Sequence, residues 1–375
     1  MEREQEILAF LKALFAGEPL EGLTFTRLPA EKSLQVLVYY YCRKQLPEDC
    51  QEAAQKAYYS FAISEMRRRA TGEKIRSVLD EAGIPFYFLK GCELAYAYYP
   101  DPALRFSIDV DFLTGENDAL PAFQRLIDNG WQPLHEFYEI GERHLPDLVR
   151  KNFCAIEVHR NLFRSDPGEN RRLMEILQED PHSPELLLVH LMYHAFRQHH
   201  WHNAMKTVID VGMVLRKATV DPDKYRALAA EFGADGLLEA VLASFPEIYP
   251  ETWRQMFPCQ RLDDDTRMAI RAFALQPEIL RQRHSSRERL FLAHRPDFRG
   301  FVGRQLKSLT PSMLGVIYHL SPTGSALCYP FLLVHYLISR SLGFALLLLR
   351  GRRLQQSDFG RMLLALNKLK SPGGK

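Results

Sequence analysis

Apolar positions along this chain recur with two periods, and the switch between them marks where helices give way to strands. Ile7, Leu8, Leu11, Leu14 and Phe15 fall at helical spacing over residues 4–16, and Ser33 to Arg43 carries a second run rich in Leu, Val and Tyr. The two runs predict a small helical preamble over 1–50. From Glu52 to Ala82, Ala57, Phe61, Ile75, Val78 and Leu79 form the stripe of one long helix, with Arg67, Arg68 and Arg69 placed outward. Gly83 and Pro85 end it. Pro85 to Leu89 is short, aromatic and uncharged, the pattern of a buried strand.

The period then becomes two. Ser107, Asp109 and Asp111 alternate with Ile108, Val110 and Phe112, which points both aspartates to one face of a strand. A helix over Asn117 to Asn129, closed by Gly130, and an extended segment from Trp131 follow. In Cys154 to Asn161, Ile156 and Val158 share one face while Glu157 and His159 share the other. Pro184 to Arg216 returns to helix, and Ala229 to Ala274 continues as helix punctuated by prolines. The chain is therefore expected to be α+β, a small mixed sheet between helical N-terminal and C-terminal parts.

Chemistry concentrates between Ile84 and Leu113. The first strand stops at Lys90-Gly91, where Gly91 permits close approach of a ligand and the following CELAYAYY offers the free N–H groups of a helix start. A lysine beside a helix N-terminus suits an anion. After the Pro100-Asp101-Pro102 break, Arg105 leads into the aspartate strand. Two carboxylates at i and i+2 repel and call for a cation, and Mg²⁺, which combines one or two carboxylates with substrate phosphates, is the natural one. A bare D-x-D also describes a strand edge with two solvated aspartates. Glu157 joins the same face if its strand pairs with that of Asp109 and Asp111; otherwise it is a solvated strand residue, and register decides between the two.

These residues carry a resemblance. LKGCELAYAYYPDPALRFSIDVDFL resembles the signature of the uncharacterised nucleotidyltransferase-like family of the DNA polymerase beta type superfamily: LKG, a helix, YPdP, R, then D-h-D. The similarity continues through Leu145-Pro146 after His144, IEVHRNL at 156–162 and PELLLVHLMYHAFRQHHWHNAMKTVIDVGMVL, and covers about residues 50–220. With the helical pattern further along the chain, the expected organisation is a nucleotidyltransferase-like core at 51–165, a helical domain at 166–250 and, beyond the resemblance, a C-terminal helical region at 251–375. The resemblance further implies that Asp109, Asp111 and Glu157 are catalytic and hold Mg²⁺, or Mn²⁺ in its place, while Lys90 and Gly91 bind the phosphates of a nucleoside triphosphate, ATP first, and Arg105 either adds charge next to those phosphates or salt-bridges the aspartates. A hydroxyl-bearing acceptor of unknown identity completes the reaction.

One departure matters. The superfamily's phosphate-gripping turn is Gly-Ser, and here Lys90-Gly91 stands in its place, which leaves the donor base open. The alternative is a module of the same fold that binds nucleotide or an antitoxin-like partner without turnover, and the intact aspartate pair argues against it. His190 and His194, followed by His199, His200 and His202, invite a metal reading. Without a fixed third ligand or an H-E-x-x-H pairing they fit packing and hydrogen bonding better. His194 and Asp210 recur in the family's helical layer, where a structural tie is expected.

Composition narrows the setting. A net charge of +2 over 375 residues makes no case for nucleic acid. The six cysteines are scattered with no C-x-x-C spacing, which fits a reducing cytosol, and the acidic N-terminus lacks the basic start of a secretory signal. A cytoplasmic protein is expected. The apolar run Ala326 to Leu349 has the length of a bilayer span, about 20 residues. Pro330, His335 and Arg340 interrupt it, so a buried helix pair comes first, docking on a membrane surface with Arg350, Arg352 and Arg353 second, and a true span last. A membrane-surface accessory for glycan or peptide assembly is a third functional reading, resting on that run alone.

Overall fold

The computed structural model describes residues 2–134, 143–163, 168–199, 201–260 and 262–275, with short stretches at 323–324, 326–336, 361–362, 365–366 and 369. The helical-period segments form α1 (Glu2–Ala16), α2 (Lys32–Cys42) and the 34-residue α3 (Glu48–Glu81). Then come β1 (Phe86–Phe88), α4 (Lys90–Tyr98), β2 (Asp109–Thr114), α5 (Ala119–Asp128), β3 (Gln132–Pro133), β4 (Leu148–Val149) and β5 (Ala155–His159). A run of helices follows: α6 (Glu169–Glu179), α7 (Pro184–Tyr193), α8 (Ala204–Lys217), α9 (Pro222–Phe232), α10 (Leu237–Ser244), α11 (Glu251–Met256) and α12 (Asp264–Leu275). The architecture is α+β, a mixed sheet with helical flanks.

The sheet has the order β1-β2-β5-β4-β3. β2 pairs antiparallel with β1 and parallel with β5, in a register that sets Asp111 opposite Glu157 and Leu113 opposite His159. A parallel pair needs a crossover, and α5 with the β3–β4 excursion supplies it. Val110, Phe112, Ile156 and Val158 point to one face and pack with Ile75, Val78 and Leu79 of α3 and Phe123 and Leu126 of α5. The strands' period of two leaves the opposite face to Asp111, Glu157 and His159. That face meets a larger helical core, in which α7 and α8 are buried along almost their whole lengths.

Three expectations change. Arg68 is not outward: it is buried, and its guanidinium donates to the carbonyls of Arg105 (2.7 Å) and Pro102 (3.0 Å), satisfying two turn acceptors at once. Arg67 and Arg69 are exposed. The single helix expected over 184–216 is interrupted, because α7 ends in a π-turn at His194–Gln198 and α8 restarts at Ala204. A π-turn inserts one extra residue into helical spacing, so an unbroken apolar pattern conceals it.

Within the apolar run, residues 326–336 are helical, and Leu327 and Phe331 are 77% and 80% exposed, so this half is not the buried helix expected. Residues 337–349, Arg350, Arg352, Arg353 and His200 lie outside the described residues. Among the described residues, no helix is long and apolar enough to cross a membrane.

Candidate active site

The site begins where β1 hands over to α4. The Leu89 N–H donates to the Asp111 carbonyl (3.0 Å), holding the end of β1 beside β2. Lys90 then takes a left-handed φ of 39°, a conformation that costs a side-chain-bearing residue about 1 kcal/mol or more. The next position has room for no side chain: a Cβ on Gly91 would lie 2.7 Å from the Ser107 Oγ and 2.9 Å from its Cβ. Close approach of this turn to the aspartate strand places the Lys90 ammonium 3.4 Å from Asp111 Oδ1.

Strand register supplies the second carboxylate. Asp111 and Glu157 are paired residues of parallel neighbours, and His159, two residues on, turns its ring between them. Its Nε2 is 2.9 Å from Asp111 Oδ1 and 3.3 Å from Glu157 Oε2. Both partners are acceptors, so Nε2 carries the proton. Burial alone would raise the Asp111 pKa, but the Lys90 charge and the His159 hydrogen bond outweigh it and hold this carboxyl well below the usual range. For His159, burial opposes protonation, and the hydrogen bonds to Asp111 and Glu157 overcome it and raise its pKa.

Asp109 lines the same cleft from one strand step earlier, with its Oδ1 accepting from the Ser107 hydroxyl at 2.7 Å. Arg105 also reaches the cleft wall, yet its charge is committed elsewhere. Its Nε and Nη2 donate to the two carboxylate oxygens of Asp210 at 2.7 and 2.8 Å, and its Nη1 donates to the Phe106 carbonyl. The Tyr99 hydroxyl adds a 2.6 Å bond to Asp210 Oδ1. The pair is buried and ties the entry of β2 to α8. Burial acts to lower the Arg105 pKa, and the Asp210 carboxylate reverses this and raises it.

The cleft between the carboxylate face and the helical layer has a volume of about 880 Å³. Lys90, Gly91, Arg105, Asp109, Asp111 and Glu157 all line it. Opposite them stand His190, His194 and His199, with the Nε2 atoms of His194 and His199 at 2.9 Å. Burial, then the Lys90 charge, lowers the pKa of all three, so they face the cleft as neutral rings.

Lys206, from the first turn of α8, also lines the cleft, and among the described residues it makes no hydrogen bond or ion pair. Burial and then the Arg105 charge lower its pKa to about 8. Sequence reasoning missed Lys206, although its place four residues before Asp210 on one helix puts both on the same face. It also gave His159 no direct contact with the carboxylates, because that contact depends on strand register.

The donor set suits a divalent cation. Asp111, Glu157 and His159 each offer a ligand atom, all within 4.8 Å of one another, and Asp109 stands outside that group in the same cleft. Two carboxylates favour Mg²⁺, and the His159 Nε2 would join them, in a way that also suits Mn²⁺, only by giving up the proton it now donates to them.

A family model described as uncharacterised nucleotidyltransferase matches residues 23–250, more than half of the chain. No curated protein and no solved structure matches.

Proposed function

Because the chain belongs to the uncharacterised nucleotidyltransferase family, we propose that it moves a nucleoside monophosphate from a nucleoside triphosphate, ATP first, to a hydroxyl-bearing acceptor with the aid of Mg²⁺. The observation that carries this reading is the pairing of Asp111 with Glu157 across parallel strands, in one cleft with Asp109 and Lys90. Mg²⁺ held by Asp111 and Glu157, with Asp109 beside them in the same cleft, would supply positive charge to the phosphates as they change bonding.

The remaining work falls to the chain itself. Lys90 adds a cation beside the donor phosphates, and Gly91 lets the turn lie directly against the Ser107 side chain of the neighbouring segment, which keeps Lys90 next to Asp111. The acceptor oxygen forms a bond to the α-phosphorus as the bond to the β-phosphate oxygen breaks, and pyrophosphate leaves. Glu157 takes the acceptor's proton: its side chain is 25% exposed against 5% for Asp111, so it is the paired carboxylate within reach of an incoming hydroxyl. Arg105, committed to Asp210, holds the wall on which this happens rather than the phosphates themselves.

The test is incubation with each of the four nucleoside triphosphates and Mg²⁺ in a cell extract, following pyrophosphate release and label transfer. One triphosphate should support transfer, and Asp109→Asn and Asp111→Asn should each lower the rate about 100-fold or more with the fold intact. Full activity in both variants would overturn the proposal. Mg²⁺-dependent triphosphate binding without any transfer would favour the non-catalytic module instead.

A further inference from the structure

We propose that Lys206 forms an anion-binding subsite on the helical wall of the cleft that takes the outer phosphates of a nucleoside triphosphate. The inference rests on the nucleotidyltransfer reading and adds a direction to it: the base and sugar lie away from Lys206, and the leaving pyrophosphate lies against it.

Position and charge matching together point to this lysine. Arg105 is paired with Asp210, Lys90 with Asp111, and His159 with Asp111 and Glu157, while Lys32 and Arg143 line the cleft from the start of α2 and from the segment before β4, so that Lys206 is the cation that α8 presents on the helical wall. Lys206 has no such partner among the described residues. The acids around it are engaged elsewhere. Asp210 serves Arg105 and Tyr99, Asp109 accepts from Ser107, and Glu31 accepts from the Leu34 N–H at the start of α2. A partly buried ammonium with no counter-charge is unfavourable, and the lowered proton affinity of Lys206 is the same imbalance in another form.

A ligand anion supplies what the chain withholds. It has to enter a cleft whose opposite wall carries carboxylates, so a lone carboxylate or chloride would gain little. A polyphosphate spreads charge over several oxygens and meets Lys206 at one end while its α-phosphate stays at the carboxylate face. The cleft volume suits a ligand of that size.

The test is calorimetry of the full chain with inorganic tripolyphosphate, ATP and AMP, each in Mg²⁺ buffer. Lys206→Met should weaken tripolyphosphate and ATP about tenfold or more and leave AMP unchanged, because a charge-assisted contact is lost only with the outer phosphates. Lys206→Arg should restore most of the loss. Melting temperatures serve as the control for folding, and Lys206→Met should melt no lower than the wild type because it removes an unpaired charge. Wild-type ATP and tripolyphosphate affinity in Lys206→Met, with Mg²⁺-dependent binding lost in Asp111→Asn, would overturn the subsite and leave the transfer reading standing. A wild-type chain that binds neither tripolyphosphate nor any nucleoside triphosphate would overturn both.

Discussion

Arg105 and Asp210 show what a single residue can reveal about itself. The order of the motif put Arg105 beside the donor phosphates, and nothing local announced a partner 105 residues away on another helix. Asp109 and Asp111, by contrast, share a face because a period of two requires it, and that much was legible in the sequence. Removing one partner of a buried bidentate pair leaves the other charge uncompensated, so Asp210→Ala should destabilise the chain by roughly 3–5 kcal/mol in urea unfolding. Replacing both, with Arg105→Met and Asp210→Leu, should recover much of that loss, because no orphaned charge remains. A double variant no more stable than Asp210→Ala would contradict this account.

Glu93 carries a separate prediction. Burial, followed by the Asp180 charge, pushes its pKa up to about 8 from 4.5. Between those values the folded state keeps a proton that the unfolded state has lost, so stability falls as pH rises through the window and levels off above it. Glu93→Gln should therefore melt with the wild type at pH 4.5 and above it at pH 8, by about 2–4 °C for each kcal/mol regained. Parallel melting curves for the two proteins across that range would refute it.

Among the elements, α8 does the most. One face carries Lys206 and Asp210 into the cleft, and Gly212 admits the Phe15 ring from α1 so closely that a Cβ there would collide with it. Phe15 in turn stacks on Tyr249 at 5.5 Å, so the ring has nowhere to retreat. Gly212→Ala should cost roughly 1–3 kcal/mol by overpacking, and Phe15→Ala in the same chain should relieve part of it. Additive losses in denaturant melts of the double variant would refute the contact's importance. The existence of α1, α3 and α5 was legible from their stripes. The break between α7 and α8 was not, since the apolar residues run on through it. Nor was the burial of Arg68, whose value lies in two carbonyls of a turn folded back from positions 102 and 105. The apolar composition of 326–336 suggested burial, yet Leu327 and Phe331 face outward, because composition fixes how apolar a helix is and not what lies against it.

At the scale of the whole molecule, the cleft is assembled from parts far apart along the chain. The sheet gives its floor from residues 86–159, α7 and α8 give its roof, and the start of α2 closes one side. The family resemblance picked out the strands and the helical layer together, whereas no periodicity could say that they face one another. Floor and roof are also made at different times. Synthesis at about 5–20 residues per second brings Asp210 out roughly 5–20 s after Arg105. Through that interval the nascent sheet holds an arginine whose counter-ion does not yet exist, and the Lys90 turn and the carboxylate strands stand roofless in water. On the proposed function, a nucleotide would then be gripped from one side only. α8, the later of the two roof helices, neutralises the arginine and closes the cleft, so under the proposed function the capacity to hold a triphosphate would appear only with its emergence, a little past the middle of the chain.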